Sequence, residues 1–302
     1  MKHVRHTTKT KARKMRSRRG HKSLIETIKW MAINCAIAAN NACPRLTKTH
    51  QDIPSSKECI VATVAFNNPE LVRIQFESLR KHMRANFNYI IYDNSTDPRA
   101  SENLQSYSKQ QEAIIYIKPR FKTIGRLSPS LDHGFALNCC SKMIAGHGKA
   151  ARFALLLDHD IFLTKPWHPS ENLIPGIAFS APKQSRGGIT YFWPGLMIID
   201  LNLVDIRLLS FLPDRGLDTG GRLGRITQKH KITTADIVSS SYLNTNCGTP
   251  MSSEDPLFDH SLMNNLIVET YGPWIHLING SGWRGKQNQN QSLDYIVSKI
   301  ND

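Results

Sequence analysis

The chain has no Cys-x-x-Cys pair. Its six cysteines, Cys35, Cys43, Cys59, Cys139, Cys140 and Cys247, stand at spacings that fit neither a zinc site nor a thioredoxin-like motif. Reduced thiols are the expectation, and an oxidising compartment stays open because spacing says nothing of pairing in space. A membrane-spanning helix needs about 20 predominantly apolar residues, and no such run occurs. The nearest approach, residues 23–43, is interrupted by Glu26, Lys29 and several Asn and reads as an amphipathic helix or linker. Internal repeats are missing too, which sets solenoids and propellers aside. Acid is absent from residues 1–22, which carry ten of the 39 Lys and Arg. The net charge of +15 is therefore mainly an arm, and the body, with 29 basic against 24 acidic residues, is mildly basic, as suits an anionic substrate.

Three segments follow. Residues 1–23 read as a basic disordered arm, with an organelle-targeting peptide or a polybasic membrane-surface segment as alternatives. Residues 24–57 read as amphipathic helix and linker, closed by Pro54 with Ser55 and Ser56. Residues 58–302 form one globular domain. The expected location is cytoplasmic or peripheral to a membrane through the basic arm, with organelle targeting open.

The domain alternates strand and helix. Residues 59–66 read as a buried strand, Asn67-Asn68-Pro69 as a turn with Pro at a helix start, and Leu71, Ile74, Gln75 and Leu79 as a helical face. A second strand at 89–92 ends at Asp93-Asn94-Ser95; a helix over 99–112, a strand at 114–117 and a helix over 133–144 follow. The apolar run 153–157 then ends in Asp158-His159-Asp160. This alternation predicts an α/β fold with a Rossmann-like, mostly parallel sheet flanked by helices. Beyond Pro166 the pattern loosens into short strands, at 176–180 and 195–199.

In open α/β sheets ligands bind outside the carboxyl ends of the strands. Three segments end there: Phe66-Asn67-Asn68, Asp93-Asn94-Ser95 and Asp158-His159-Asp160. With 15 Asp in 302 residues, an Asp-x-Asp triplet arises roughly once by chance, so its position after an apolar strand is what singles it out. Two hard carboxylates two residues apart suit one Mg²⁺ or Mn²⁺ that carries phosphate oxygens. His159 reads as a spacer facing away from that ion. Asp93 is placed to accept hydrogen bonds from a base or ribose; its structural alternative is a turn former.

These features resemble the GT-A class of nucleotide-sugar glycosyltransferases, broadly the family 2 type, over about residues 57–285. The resemblance makes residues 58–302 a GT-A-like glycosyltransferase domain. It implies that Asp158 and Asp160 bind a divalent ion bridging the sugar diphosphate, and that Asp93 and Asn67 lie on the nucleotide side. His276 is similar to a third metal ligand in that class, followed by a glycine loop at Gly280, Ser281 and Gly282 before Trp283. Imidazole beside two carboxylates favours Mn²⁺ over Mg²⁺. Trp193, in Trp193-Pro194-Gly195, resembles an acceptor-side aromatic that stacks on a sugar face, and is equally a core residue.

His133 and Asn138 lie in the stretch that would face the diphosphate, with caps or packing as the alternative; Arg120, Lys122 and Arg126 would be phosphate partners. An alcohol acceptor needs a base. Ser253-Glu254-Asp255 resembles the family's Glu-Asp pair, so Asp255 is first choice, with Glu254 and Asp218, in Leu217-Asp218-Thr219-Gly220-Gly221, also candidates. Ser253 stands where glycine or threonine is usual, and Pro256 follows directly. The stereochemical outcome is left undetermined.

The implied activity is metal-dependent transfer of a sugar from a nucleotide donor, expected to be UDP-linked, to a hydroxyl of a glycan, lipid or protein. A nucleotidyltransferase on a similar sheet is one alternative, but it calls for a Gly-rich basic loop after the first strand, where this chain has Phe66-Asn67-Asn68-Pro69. A nucleic-acid binder led by the basic arm is another; the body shows no recognisable nucleic-acid module, and no specific nucleic-acid partner is expected.

Overall fold

The computed structural model describes residues 31, 57–119, 128–147, 151–186, 188–214, 216–264, 266–278, 280 and 289–302. Two compact units make up the chain, Met1–Leu46 and Thr47–Asp302. The first is described only at Met31, an exposed helical residue. The basic arm, nearly all of the 24–57 segment, Arg120, Lys122 and Arg126, and the loop from Ser281 to Trp283 lie outside the described residues. Among the described residues no helix is long and apolar enough to cross a membrane.

The second unit opens with β1 (Cys59–Ala65), α1 (Pro69–His82), β2 (Phe87–Asp93), α2 (Pro98–Lys109), β3 (Ile114–Ile117), α3 (Pro129–His147) and β4 (Phe153–Asp158). Local chemistry starts the helices: Asn68 accepts from the Leu71 N–H before α1, Asp97 accepts from the Arg99 N–H before α2, and each is followed by Pro at the first helical position. Arg80, Lys81 and His82 in the last turn of α1 complement its dipole. The chain continues through β5 (Ile161–Leu163), β6 (Phe179–Ala181), the hairpin β7 (Lys183–Arg186) and β8 (Ile189–Phe192), and β9 (Leu196–Asp200). It ends with α4 (Leu223–His230), β10 (Thr234–Asp236), β11 (Ser241–Asn244), β12 (Pro250–Met251), α5 (Phe258–Met263), β13 (Ile267–Tyr271), β14 (Trp274–Leu277) and α6 (Gln289–Asn301).

Seven strands form the main sheet in the order β10-β6-β9-β4-β1-β2-β3, and only β9 runs antiparallel to its neighbours. The fold is therefore α/β with a mostly parallel sheet, as the alternation predicts. Period-two alternation sends Ile60, Ala62, Val64, Ala154 and Leu156 to one face, under Leu137, Cys140 and Ile144 of α3. Cys59, Val61, Phe153, Leu155 and Leu157 go to the other face, under Val72, Phe76 and Leu79 of α1. β1 and β4 are buried on both faces, which is why each reads as a continuous apolar run.

The sequence pattern does not announce the second sheet, order β12-β11-β13-β14-β5, antiparallel throughout. One of its faces, with Phe162, Val268, Ile275 and Leu277, packs on Leu71 of α1 and on Ile296 and Ile300 of α6. Its other face carries Tyr242, Glu269 and His276 as successive cross-strand neighbours, ending at Ile161 of β5. The expected strand over 176–180 is shorter and later, residues 179–181, because Gly176 takes a positive φ of 86° and turns the chain first.

Candidate functional site

Parallel register brings the expected strand ends together: Val64 pairs with Asp158 and Ala65 with Asp93. The first of these ends is stapled by Asn67. Its φ of 51° is left-handed, a conformation Asn tolerates better than most residues. The Asn67 N–H donates to Ser95 Oγ at 2.9 Å, its Nδ2 donates to Thr96 Oγ1 at 2.8 Å, and its Oδ1 accepts from the Thr96 and Asp97 N–H groups, both at 2.8 Å. Asn67 thus locks the β1–α1 turn onto the β2–α2 turn.

Asp93 is fully buried. Its Oδ1 accepts from the Ser95 N–H at 2.8 Å, and its Oδ2 accepts from Tyr116 Oη at 2.6 Å and Lys118 Nζ at 2.8 Å. Burial opposes its ionisation, but the hydrogen bonds from Lys118, Tyr116 and Ser95 outweigh burial and hold the carboxyl below the usual range. Lys118 also donates to the Ser95 carbonyl and to Ser101 Oγ. The carboxylate expected on the nucleobase side is, in this structure, the anchor of an internal network whose one partly exposed charge is Lys118.

Asp158 closes β4 and Asp160 immediately precedes β5, so the triplet is the corner where the chain passes from one sheet to the other. Gln75, buried in α1, holds this corner: its Nε2 donates to the carbonyls of Asp158 and Ile161, both at 2.7 Å, while its Oε1 accepts from Tyr89 Oη at 2.6 Å. The expectation for Gln75 as part of an apolar helical face misses this role. His159 is buried, with Nδ1 3.1 Å from the Val64 carbonyl and Nε2 without a hydrogen-bond partner.

Two glycines make room for the carboxylates. A Cβ on Gly195 would lie 2.6 Å from Asp158 Oδ2 and 2.1 Å from the Trp193 ring; one on Gly280 would lie 2.6 Å from Asp160 Cβ and 3.0 Å from its Oδ2.

Asp158 Oδ1 is 3.2 Å from His133 Nε2, and Asp160 Oδ1 is 3.9 Å from His276 Nε2. Neither contact has hydrogen-bond geometry, and both Oδ1 atoms are buried without a hydrogen-bond partner. Burial pushes Asp158 up, the Asp160 charge adds to that, and His133 and His276 pull against it. On its far side His276 meets Glu269, Nδ1 to Oε2 at 3.3 Å. Burial disfavours the charged imidazole, but Glu269 and Asp160 outweigh it and raise His276 above its ordinary value. Glu269, conversely, is held below the usual carboxylate range: burial opposes ionisation, and the His276 contact overcomes it. Trp193 packs its ring 4.9 Å from that of His276 and belongs partly to the core.

The other expected residues sit further out. Asn138, inside α3, caps no helix and takes the packing alternative: its Oδ1 accepts from the Phe211 N–H at 3.0 Å, while Gly134, one turn earlier, lets α3 approach Phe211. Asp218 Oδ1 accepts from the Thr219 N–H, and the Gly220 of the same turn packs on Phe192 and Pro194, next to Trp193. Asp255 Oδ1 accepts from the Leu257 N–H at the start of α5, and Glu254 is exposed beside it. Their link inward runs through Phe258, whose ring lies 5.3 Å from that of Tyr242, the residue opposite Glu269 across the strands. Sequence reasoning passed over Glu269, and its place opposite His276 depends on strand register.

Among the described residues no group of three or more His, Cys, Asp or Glu stands ready to hold a metal ion. Asp158, Asp160 and His276 are neighbours without closing into the three-ligand set that the resemblance implies, and His276 Nε2 stays 3.9 Å from Asp160 Oδ1. Two buried carboxylate oxygens without hydrogen-bond partners are nonetheless of the ligand type that a hard divalent cation takes.

No family model matches the chain, and no curated protein matches it in sequence. Among solved structures it is similar to a mannosyltransferase, PcManGT from Pyrobaculum calidifontis in complex with GDP-Man and Mn²⁺, with TM-score 0.42 and 11% identity over 70% of this chain and 64% of that one. It is also similar to S. aureus TarS, with TM-score 0.27 and 19% identity over 36% of this chain and 18% of that one. The chain thus spans less than two thirds of either protein.

Proposed function

We propose that this chain is a metal-dependent glycosyltransferase that moves a sugar from a nucleotide donor, UDP-linked in our reading, to an acceptor hydroxyl of a glycan, lipid or protein. The observation that carries the proposal is the pair of buried, donorless Oδ1 atoms of Asp158 and Asp160 at the carboxyl edge of the main sheet. Asp158 and Asp160, with His276 alongside, would hold Mn²⁺ or Mg²⁺. Such an ion neutralises charge growing on a departing diphosphate.

The protein's own groups do the remaining work. Gln75 fixes the carboxylate corner by its two carbonyl contacts. His133, 3.2 Å from Asp158, would offer its imidazole to a diphosphate oxygen. Asn67 and the Asp93–Lys118 pair hold the two turns that would face the nucleoside. A cleft of about 300 Å³ lined by Lys183, Gln184, Asp236, Tyr242, Glu269 and Tyr271 lies beside His276 and offers hydroxyl, aromatic and charged contacts to an acceptor. Asp255 or Asp218 would take the acceptor's proton as it attacks.

The nucleotidyltransferase alternative finds no support after β1, where the chain has an Asn67 turn stapled to its neighbour rather than an open phosphate-binding loop.

The test is Mn²⁺-dependent release of nucleoside diphosphate across a panel of nucleotide sugars. Asp158→Asn and Asp160→Asn should each lower turnover by about 100-fold or more, as expected for losing part of a cation that stabilises charge by several kcal/mol. Turnover that ignores EDTA, or that survives both changes, refutes the proposal.

A further inference from the structure

We infer that Glu269 is a positioning residue that fixes the orientation and tautomer of His276, leaving Nε2 bare on the side of Asp160. The inference rests on the reading of His276 as a ligand to the cation held by Asp158 and Asp160. It adds a residue that the sequence does not single out.

Register supplies the first reason. Tyr242, Glu269 and His276 are directly opposed on three adjacent antiparallel strands, and the row continues to Ile161, next in the chain after Asp160. Directly opposed residues have their side chains about 5 Å apart at the root, so the row brings one hydroxyl, one carboxylate and one imidazole into contact by strand pairing alone.

The second reason is the chemistry of the contacts. His276 Nδ1 lies 3.3 Å from Glu269 Oε2, with the His276 side chain 14% exposed and that of Glu269 12% exposed. Tyr242 and Tyr271 lie near Glu269 as well, and its charge disfavours their ionisation. A carboxylate offers acceptors only, so Nδ1 donates to it. A neutral imidazole carries one N–H. With that proton on Nδ1, Nε2 presents a lone pair toward Asp160, 3.9 Å away. Trp193, 4.9 Å from the imidazole ring, packs against it and limits its rotation. A carboxylate behind a ligating histidine raises its basicity and holds its plane, and loss of such a partner typically costs 10- to 100-fold in metal affinity, by rough order of magnitude.

Two measurements on the full chain test this. The first uses the metal-free protein labelled with ¹⁵N-histidine, at a pH above the imidazole titration range, with His276→Ala to assign the signal. Two-bond ¹H–¹⁵N correlations should show His276 protonated on Nδ1 and bare at Nε2; a proton on Nε2 in the wild type overturns the inference. The second is Mn²⁺ binding, with no nucleotide, by calorimetry.

Glu269→Leu should weaken Mn²⁺ binding about 10- to 100-fold. Glu269→Gln, whose amide oxygen still accepts from Nδ1, should keep the tautomer and lose less than about 10-fold. A folded Glu269→Leu protein that binds Mn²⁺ as the wild type does also overturns the inference, and the conservative Gln variant supplies the comparison if the Leu variant does not fold. Should the wild type bind no Mn²⁺ at all, the cation reading of the site fails instead, and the tautomer measurement decides the role of Glu269 by itself.

Discussion

Replacing Gly195 by alanine adds one methyl group at the most crowded point of the site. The backbone of Gly195 is held, because its carbonyl accepts from the Asp158 N–H at 2.7 Å, so the added carbon cannot back away. Its φ is not among the positive values, and alanine therefore meets no backbone strain there. What it meets is the Trp193 ring at 2.1 Å and Asp158 Oδ2 at 2.6 Å. To reach ordinary carbon–carbon contact of about 3.5 Å the ring must retreat by about 1.4 Å, and the carboxylate oxygen must move by roughly 0.7–1 Å.

Overpacking of this kind costs about 1–3 kcal/mol of stability. A displacement near 1 Å at a reacting centre costs about 100-fold in rate, or roughly 2.7 kcal/mol in barrier. Gly146→Ala is the control. Gly146 lies exposed near the end of α3 with nothing within 4 Å of its added carbon, and the change should stabilise by about 0.5–1 kcal/mol and leave turnover alone. Urea unfolding and Mn²⁺-dependent donor turnover, measured on both variants, separate the two effects. A folded Gly195→Ala protein with wild-type turnover would refute the placement of the reaction at Asp158.

Lys118→Met should destabilise by about 2–3 kcal/mol at neutral pH, below the usual cost of breaking a buried pair because Lys118 is a third exposed and Asp93 keeps Tyr116 and the Ser95 N–H. Because Asp93 is held below the usual carboxylate range, its contribution is complete above about pH 4 and is lost as pH falls through its folded value. The wild-type advantage over Lys118→Met should therefore shrink on acidification, and an advantage that is constant in urea melts from neutral to acid pH would contradict the pairing. For the acceptor base, either Asp255→Asn or Asp218→Asn should lower donor turnover by about 100-fold or more while Mn²⁺ affinity stays at the wild-type value. If both variants turn over normally, the base lies elsewhere.

The parts of the fold legible in the sequence are those dictated by nearest-neighbour patterns. A strand buried on both faces must be apolar throughout, so β1 and β4 declare themselves, and the alternation with α1, α2 and α3 then commits them to a parallel sheet. Parallel strands end on one edge, and for that reason alternation alone brings the turns after residues 66, 93 and 158 together, as the register shows.

The antiparallel sheet was hidden for the converse reason. Its strands run two to five residues, too short for a period to establish itself, and its inner face is polar where it meets the site. Glu269 stays anonymous in the sequence because what matters about it is the residue across the strand, and pairing register is not written in local composition.

Gln75 shows the same limit inside a helix. Spacing put it rightly on the buried face of α1 with Leu71 and Leu79, yet its function is to donate to two carbonyls 83 and 86 residues away. A buried amide on an otherwise apolar helical stripe is costly unless its donors are satisfied. That cost is the one signal in the sequence, and it says that a partner exists without saying where. The Asp158–Asp160 corner, the only break in an apolar β4–β5 run that passes between two sheets, is where free carbonyls need such a donor, so the two anomalies explain each other once the chain is folded.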